Sequence, residues 1–264
     1  MMRIVRTIVV AFATLLATAC SGGGAPPPTS AAEPLPAGPV GAEIALGREL
    51  LTQTKARMPG NVTARLNCSS CHVNAGTVAR AGTLVGASAR FPQWNGRSHR
   101  VIALQDRIAE CFLYSMNGKP PAYASKEMIA IVAYIAWISR ATPAFSTPDP
   151  QQQFRLDPPA PAPDTARGAQ IYATKCASCH QSGGGGVALA IPPLWGAGAF
   201  NDGAGMARLG DMAGFVRYNM PQTAPGTLSE ADAFAVAAYV LAHPRPKFAK
   251  DRPVSFPSRP AAYF

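Results

Sequence analysis

The stretches "CSSCH" at residues 68–72 and "CASCH" at residues 176–180 decide the fold of this chain. In each of them two cysteines are separated by two residues, and a histidine directly follows the second cysteine. One short turn can then present both sulfurs to the two vinyl groups of a haem, with the imidazole in place to bind the iron. The pattern predicts two covalently bound haem c groups, attached through Cys68, Cys71, Cys176 and Cys179, with His72 and His180 as proximal iron ligands.

Two other uses of paired cysteines were weighed against haem attachment. A thioredoxin-like redox pair needs a βαβ context, and no stretch of useful length alternates with the period of a strand. A zinc site needs closely spaced partner pairs of ligands, which the sequence lacks. The repetition of the whole motif favours haem.

The two halves of the chain repeat one plan around these motifs. A short amphipathic helix pattern precedes each motif, as "GAEIALGRELLTQT" in the first half and "DTARGAQIYATK" in the second. Each half ends in a strongly apolar helix pattern that starts at a capping serine, "SKEMIAIVAYIAWISR" and "SEADAFAVAAYVLAHP". We therefore expect a mainly α fold, with two helical domains of the class I cytochrome c type joined by a Pro-rich linker.

The N-terminal sequence predicts export from the cytoplasm. Arg3 and Arg6 precede an apolar run that is too short to span a bilayer, and small residues then lead to Cys20. Residues 16–20 also resemble a lipobox, so an ordinary cleaved signal peptide and a lipid anchor at Cys20 both stay open. Both alternatives place the mature protein in the periplasm.

The predicted segments cover the chain from end to end. In order they are a signal peptide (1–19), a disordered tether (20–39), the N-terminal cytochrome c domain (40–142), a linker (143–163), the C-terminal cytochrome c domain (164–248) and a tail (249–264). The formal net charge is +10. Because the basic residues are scattered, nucleic acid is not an expected partner, whereas a small anion or an acidic protein is. Contact with a membrane is expected only through lipid at Cys20.

The second axial ligand of each haem is expected in the loop before the closing helix, where methionine is common. In the second half, Met220 lies 40 residues beyond His180 and is followed by proline. Met206 and Met212 are the alternatives, since both lie nearer the Gly-rich segment.

The first half offers two candidates that spacing cannot separate. Cys111 lies 39 residues after His72, while Met116 lies nine residues before Ser125, as Met220 does before Ser229. Coordination would hold a thiol that is otherwise at risk outside the cytoplasm. Positive residues also surround Cys111, namely Arg97, Arg100, Arg107 and Lys119. From the residues alone, both ligands stay open.

Three stretches resemble the dihaem thiosulfate dehydrogenases. They are "LNCSSCHVNAGT", "FPQWNGRSHRVIALQDRIAECFLYSMNGKPPAYASKEMIAIVAYIAWIS" and "RYNMP" with the following "LSEADAFAVAAYV". The resemblance implies that two thiosulfate molecules are joined to tetrathionate. It makes Cys111 the axial ligand of a catalytic first haem and places Arg97 and Arg107 in the substrate cleft, with Ser115 and Lys119 as further candidates.

The resemblance also implies that the second haem, with His180 and Met220, passes electrons to an external acceptor such as a small cytochrome c or a high-potential iron–sulfur protein. Some relatives carry a lysine beside this methionine, where this chain has Asn219. His99 likewise stands where glycine is more usual. Two alternatives stay open: a dihaem electron carrier without substrate chemistry, and the same site working as a tetrathionate reductase.

Overall fold

The computed structural model describes residues 34–149, 153–159 and 162–248. The predicted signal peptide, Cys20 with most of the tether, and the C-terminal tail lie outside these residues. The described helices, three of them single turns, are α1 (Pro39–Thr52), α2 (Thr54–Arg57), α3 (Val73–Gly76), α4 (Leu104–Tyr114), α5 (Lys126–Ser139), α6 (Thr165–Lys175), α7 (Ala177–His180), α8 (Leu209–Asn219) and α9 (Glu230–Ala242). Within the described part of the chain, no helix is long and apolar enough to cross a membrane.

Each half is built around one crossing of two helices, α1 on α5 in the first and α6 on α9 in the second. A glycine lies at each crossing. A Cβ atom on Gly47 would come within 2.0 Å of the Ala130 carbonyl oxygen, and one on Gly168 within 2.1 Å of the Ala235 carbonyl oxygen. Only glycine therefore allows these backbones to approach so closely. The two related crossings confirm the predicted mainly helical fold with two domains.

The closing helices begin at the serines that the sequence indicates. Ser125 Oγ accepts a hydrogen bond from the Met128 N–H, and Ser229 Oγ accepts one from the Asp232 N–H. These side chains satisfy amides that have no partner inside the first turn of a helix.

The first domain contains a small hairpin that the sequence did not indicate. β1 (Gln93–Asn95) pairs antiparallel with β2 (Arg100–Ile102), with Trp94 opposite Val101. Strands of three residues are too short to show a period of two. Among the described residues this hairpin is the whole of the sheet structure, which agrees with the expectation of little sheet. It leads directly into α4, the helix that carries Cys111.

Part of the predicted linker packs against α8. Residues 153–159 form neither helix nor strand. The Leu156 N–H donates to the Gly210 carbonyl oxygen at 3.2 Å, and the Phe154 ring packs edge-on against Phe215. Arg155 Nε also lies 3.9 Å from Asp211 Oδ1, so the segment lies along the second domain through a hydrogen bond, an aromatic contact and an ion pair.

Candidate haem-binding and catalytic site

Both CxxCH motifs fold into the same tight turn. The His72 N–H donates to the Cys68 carbonyl oxygen at 2.9 Å, and the His180 N–H donates to the Cys176 carbonyl oxygen, also at 2.9 Å. Such a bond brings the first cysteine and the histidine of each motif onto one turn. The five cysteines of the described residues form no disulfide.

A backbone carbonyl orients each imidazole through its Nδ1 atom. His72 Nδ1 is hydrogen-bonded to the Gly82 carbonyl oxygen, and His180 Nδ1 to the Pro192 carbonyl oxygen at 3.0 Å. The Nε2 atom of each ring is thereby left as the one that can bind metal. Gly82 has a φ of 61°, and a Cβ there would come within 2.8 Å of the Cys71 carbonyl oxygen. Glycine is thus needed where the chain closes over His72.

Cys111 lies one turn before the end of α4 and faces the first motif. Its Sγ atom lies close enough to the His72 side chain for His72 to lower the pKa of this thiol. Burial raises the pKa of Cys68 to about 11 and that of Cys71 to about 12. A negative charge on Cys111 contributes to both increases, so Cys111 lies near these two cysteines. His72 and Cys111 therefore face one another beside the two attachment sulfurs, and this donor set fits a haem with one nitrogen and one sulfur ligand.

The surroundings of Cys111 favour its thiolate. Burial alone would raise the pKa of this thiol, but the charge of Arg107 and the contact with His72 outweigh burial and lower the pKa to about 7. Arg107 Nη1 lies 3.4 Å from Cys111 Sγ. A cation at this distance stabilises the sulfur in the form that binds metal and acts as a nucleophile.

The other basic residues predicted around Cys111 are placed differently. The Arg97 guanidinium stacks on the Tyr114 ring, with its Cζ atom 4.0 Å from the ring centroid, and donates to the Gly203 carbonyl oxygen of the second domain at 3.1 Å. Arg100 Nη2 lies 3.5 Å from the buried Asp106 carboxylate. Lys119 is exposed on the surface.

Two predicted site residues contribute backbone contacts near the end of α4. The Ser115 N–H donates to the Cys111 carbonyl oxygen at 3.0 Å, and the Lys119 N–H donates to the Asn61 carbonyl oxygen at 3.0 Å. The structure therefore brings the Arg107 side chain to Cys111. It holds Arg97 against Tyr114, which lies three residues beyond Cys111 on α4. The catalytic roles of Ser115 and Lys119 stay predictions.

Met116, the alternative ligand in the first half, lies beyond the end of α4. Its side chain is 5% exposed and belongs to the hydrophobic core, while its backbone N–H donates to the Cys111 carbonyl oxygen at 3.2 Å. On α4, Cys111 thus faces His72, whereas Met116, beyond the end of the helix, packs in the core. This placement favours the cysteine.

Met220, the predicted ligand in the second half, directly follows the last residue of α8. Its side chain is partly buried against the core. Of the alternatives, Met212 is buried within α8, and Met206 lies in the short 3-10 turn Gly205–Ala207. Ligation by Met220 stays a prediction.

Asn219 ties the Met220 loop to the first domain. Its Nδ2 atom donates to the Arg80 carbonyl oxygen at 2.8 Å and to the Phe215 carbonyl oxygen at 3.0 Å. Arg80 stands two residues before Gly82, whose carbonyl oxygen orients His72. The segment before the proposed second ligand is therefore in direct contact with the loop that holds the first proximal histidine.

Further hydrogen bonds join the two domains close to both motifs. Arg65, three residues before Cys68, donates from its backbone N–H to the Gly198 carbonyl oxygen and from Nη2 to the Gly185 carbonyl oxygen, each at 2.8 Å. Asn201, only 2% exposed, donates from Nδ2 to the Leu113 carbonyl oxygen at 3.1 Å. The second domain thus contacts the chain on either side of the first haem site.

Sequence reasoning missed two polar residues beside Cys111. Glu110 is 3% exposed, with its carboxylate 2.8 Å from Asn95 Nδ2 and 3.5 Å from Arg107 Nη1. An acidic residue next to the solitary cysteine was a visible signal, but the count of charges around Cys111 took in only the basic residues. Asn95 gave no signal, because its role depends on the hairpin.

Two family models match the two domains. The model described as "SoxA/TsdA, cytochrome c domain" matches residues 58–144, and the one described as "Cytochrome C oxidase, cbb3-type, subunit III" matches residues 163–240. The matched ranges lie on either side of the linker, and each contains one CxxCH motif. Haem c is therefore the implied cofactor.

Curated relatives cover most of the chain. The thiosulfate dehydrogenase of Allochromatium vinosum is 38% identical over 231 residues, which make up 83% of this chain and 84% of that protein. The thiosulfate dehydrogenase of Stutzerimonas stutzeri is 38% identical over 223 residues, 81% of this chain and 71% of that protein.

A solved structure shares the overall fold. The thiosulfate dehydrogenase TsdBA from Marichromatium purpuratum, in its "as isolated" form, superposes with a TM-score of 0.75 at 36% identity. The match covers 80% of this chain and 48% of that one, so this chain spans about half the length of that solved protein. By sequence, by domain models and by fold, the chain belongs to the thiosulfate dehydrogenase family and consists of two cytochrome c domains.

Proposed function

We propose that this protein joins two thiosulfate dianions into tetrathionate at Cys111 and passes the electrons through the second haem to an external acceptor. The observation that carries the proposal is the position of Cys111 Sγ, which lies close to the His72 side chain and 3.4 Å from Arg107 Nη1. A sulfur that can bind iron thus also lies beside a cation suited to an anionic substrate.

Arg107 and Arg97 bind the thiosulfate dianion. Guanidinium is planar, permanently charged and able to pair with two oxygens of a sulfonate-like group. Arg107 presents its charge at Cys111, and Arg97 is fixed by Tyr114 and Gly203. Their combined charge offsets repulsion between the anionic substrate and the Cys111 thiolate.

The covalent chemistry belongs to Cys111. Its thiolate forms a sulfur–sulfur bond with the outer sulfur of one thiosulfate, which releases two electrons. A second thiosulfate attacks that outer sulfur, the bond to Cys111 breaks, the thiolate returns and tetrathionate leaves. When bound, the two haems supply irons that each take up one electron. His72 and Cys111 would hold one of these irons, and His180 and Met220 would hold the other.

The proposal extends to the cellular setting. The protein works in the periplasm after export, released there or held by a lipid at Cys20. Its acceptor is a small cytochrome c or a high-potential iron–sulfur protein. The basic balance of the chain supports an acidic partner surface.

The electron carrier without substrate chemistry is the weaker alternative. It requires Met116 on the first iron, and the Met116 side chain is packed in the core. The tetrathionate reductase uses the same residues in the opposite direction, so it differs in haem potentials and acceptor rather than in the site.

Thiosulfate oxidation by the purified holoprotein with an artificial electron acceptor tests the proposal. We expect activity in the wild type and its loss in Cys111→Ala, while Met116→Leu, a volume-conserving core change, keeps it. Full activity in Cys111→Ala would exclude the proposed chemistry. Tetrathionate reduction that is faster than thiosulfate oxidation with every acceptor tried would instead support the reductase.

A further inference from the structure

A buried carboxylate contacts one of the two arginines proposed to bind the substrate, and it is linked to the other through Asn95. Glu110 precedes Cys111 on α4 and is 3% exposed. Its Oε2 atom is 3.5 Å from Arg107 Nη1, the same nitrogen that lies 3.4 Å from Cys111 Sγ. Burying a carboxylate without a partner costs free energy, so the residues that contact Glu110 are the ones that stabilise its charge.

The second contact of Glu110 leads to the hairpin. Asn95, the last residue of β1, donates from Nδ2 to Glu110 Oε1 at 2.8 Å. The Oδ1 atom of the same amide accepts the N–H of Arg97 at 2.8 Å and the N–H of Ser98 at 3.1 Å. Asn95 thus fixes the turn at residues 96–99 and links that turn to α4.

We propose that Glu110 and Asn95 are positioning residues that hold Arg107 and Arg97 at a set separation for a dianionic substrate. The proposal rests on the proposed function and deepens it. One buried carboxylate directs the Arg107 guanidinium toward Cys111, and the amide bonded to that carboxylate fixes the backbone of Arg97. Neither Glu110 nor Asn95 needs to touch the substrate, since both act through the arginines.

The chemistry of this pair allows a reversal test. Asn95→Asp keeps an oxygen for the Arg97 and Ser98 amides but loses the donor to Glu110, so two carboxylates meet. Glu110→Gln keeps the shape but loses the charge facing Arg107. In the double variant an amide at position 110 can donate to the carboxylate at position 95, which restores the link with donor and acceptor exchanged.

Steady-state kinetics of the holoproteins measure the effect on the substrate. We expect each single change to raise KM for thiosulfate about tenfold with a smaller change in kcat, the size expected for a hydrogen bond to a charged group. The fold increase in KM of the double variant should be smaller than the product of the fold increases of the two single variants. Glu49→Gln, which removes the α1 carboxylate paired with Arg57 of α2, is the matched control and should leave KM unchanged. Single variants with wild-type KM, or effects that multiply without coupling, would overturn the proposal.

Crystal structures of the oxidised holoproteins provide a result that does not depend on turnover. In Asn95→Asp the turn at residues 96–99 should move away from α4, and in Glu110→Gln the Arg107 guanidinium should leave Cys111. Unmoved arginines in both variants would overturn the proposal even if KM changed. If the wild type did not oxidise thiosulfate, the proposed function would fail, and the positions of the arginines would still decide whether this pair sets them.

Discussion

Asn219 Nδ2 donates a 2.8 Å hydrogen bond to the Arg80 carbonyl oxygen, across the boundary between the two domains. Asn219 precedes Met220, the proposed ligand of the second haem, and Arg80 stands two residues before Gly82, which orients His72. A single amide therefore links the segment before Met220 to the loop that orients His72.

Replacing this amide should loosen the Met220 loop. Asn219→Ala loses two hydrogen bonds, and we expect the free energy of unfolding to fall by about 2 kcal/mol. If Met220 is the ligand, the methionine-to-iron charge-transfer band of the ferric protein should also weaken. Asn61→Ala, which removes an amide contact to Lys119 within the first domain, is the control. An unchanged band with lowered stability would show that the bond supports the interface but not the ligand.

Arg107 should affect substrate use far more than stability, because its side chain lies at the surface of the site. We expect Arg107→Ala to lower kcat/KM for thiosulfate by about two orders of magnitude, as for loss of a charged hydrogen-bonding partner of roughly 3 kcal/mol. Arg107→Lys should recover part of this, since lysine restores the charge but not the planar pairing. Arg57→Ala serves as the control. Wild-type kcat/KM in Arg107→Ala would contradict the proposed substrate site.

The predicted effect of Met116→Leu is small. The two side chains have similar volumes, so the unfolding free energy should change by less than about 1.5 kcal/mol. Because Met116 lies in the core, the spectrum of the first haem and the rate of thiosulfate oxidation should stay as in the wild type. A changed ligand signal in this variant would show that Met116 reaches the iron.

The ion pair between Arg167 of α6 and Asp232 of α9 should make a pH-dependent contribution to stability. Burial would raise the pKa of Asp232, but hydrogen bonds from Arg167 and Ser229 outweigh it and lower the pKa. A carboxyl group with a depressed pKa stabilises the fold above its unfolded pKa, near 4, and that stabilisation is lost as the pH falls. Asp232→Asn should therefore lower the thermal midpoint at neutral pH. The corresponding loss in free energy of unfolding should be less than about 1 kcal/mol.

The same comparison at acidic pH supplies the check. The difference in thermal midpoint between wild type and Asp232→Asn should shrink as the pH falls below about 4. Glu230→Gln removes a neighbouring carboxylate in the first turn of α9 and should produce a smaller change at neutral pH. A difference that persists unchanged in acid would mean that the side chain acts through packing rather than charge.

The sequence predicted the parts of this fold that local chemistry determines. The CxxCH turns, the capping serines of α5 and α9, and the repeated helical plan all depend on residues close together in the chain. The choice between Cys111 and Met116 does not, because counting forward from His72 favours Cys111 whereas counting back from Ser125 favours Met116. It depends on where α4 ends, since that point directs Cys111 toward His72 and Met116 into the core.

Contacts made by backbone carbonyls could not be predicted from residue types. The carbonyls of Gly82 and Pro192 orient the imidazoles, and those of Gly198 and Gly203 hold Arg65 and Arg97. Every residue has a carbonyl, so its identity carries no signal. The pairing of Arg100 with Asp106 was also hidden, and a count of basic residues alone overstated the positive charge available to a substrate.

Electron spin resonance of the oxidised holoprotein, comparing wild type with Cys111→Ala, tests the central claim most directly. Thiolate and thioether ligands of ferric haem give distinct signals. We expect one thiolate-ligated and one methionine-ligated haem in the wild type, loss of the thiolate signal in Cys111→Ala, and no change in Met116→Leu. Two methionine-ligated haems in the wild type would contradict the claim that Cys111 is the catalytic ligand.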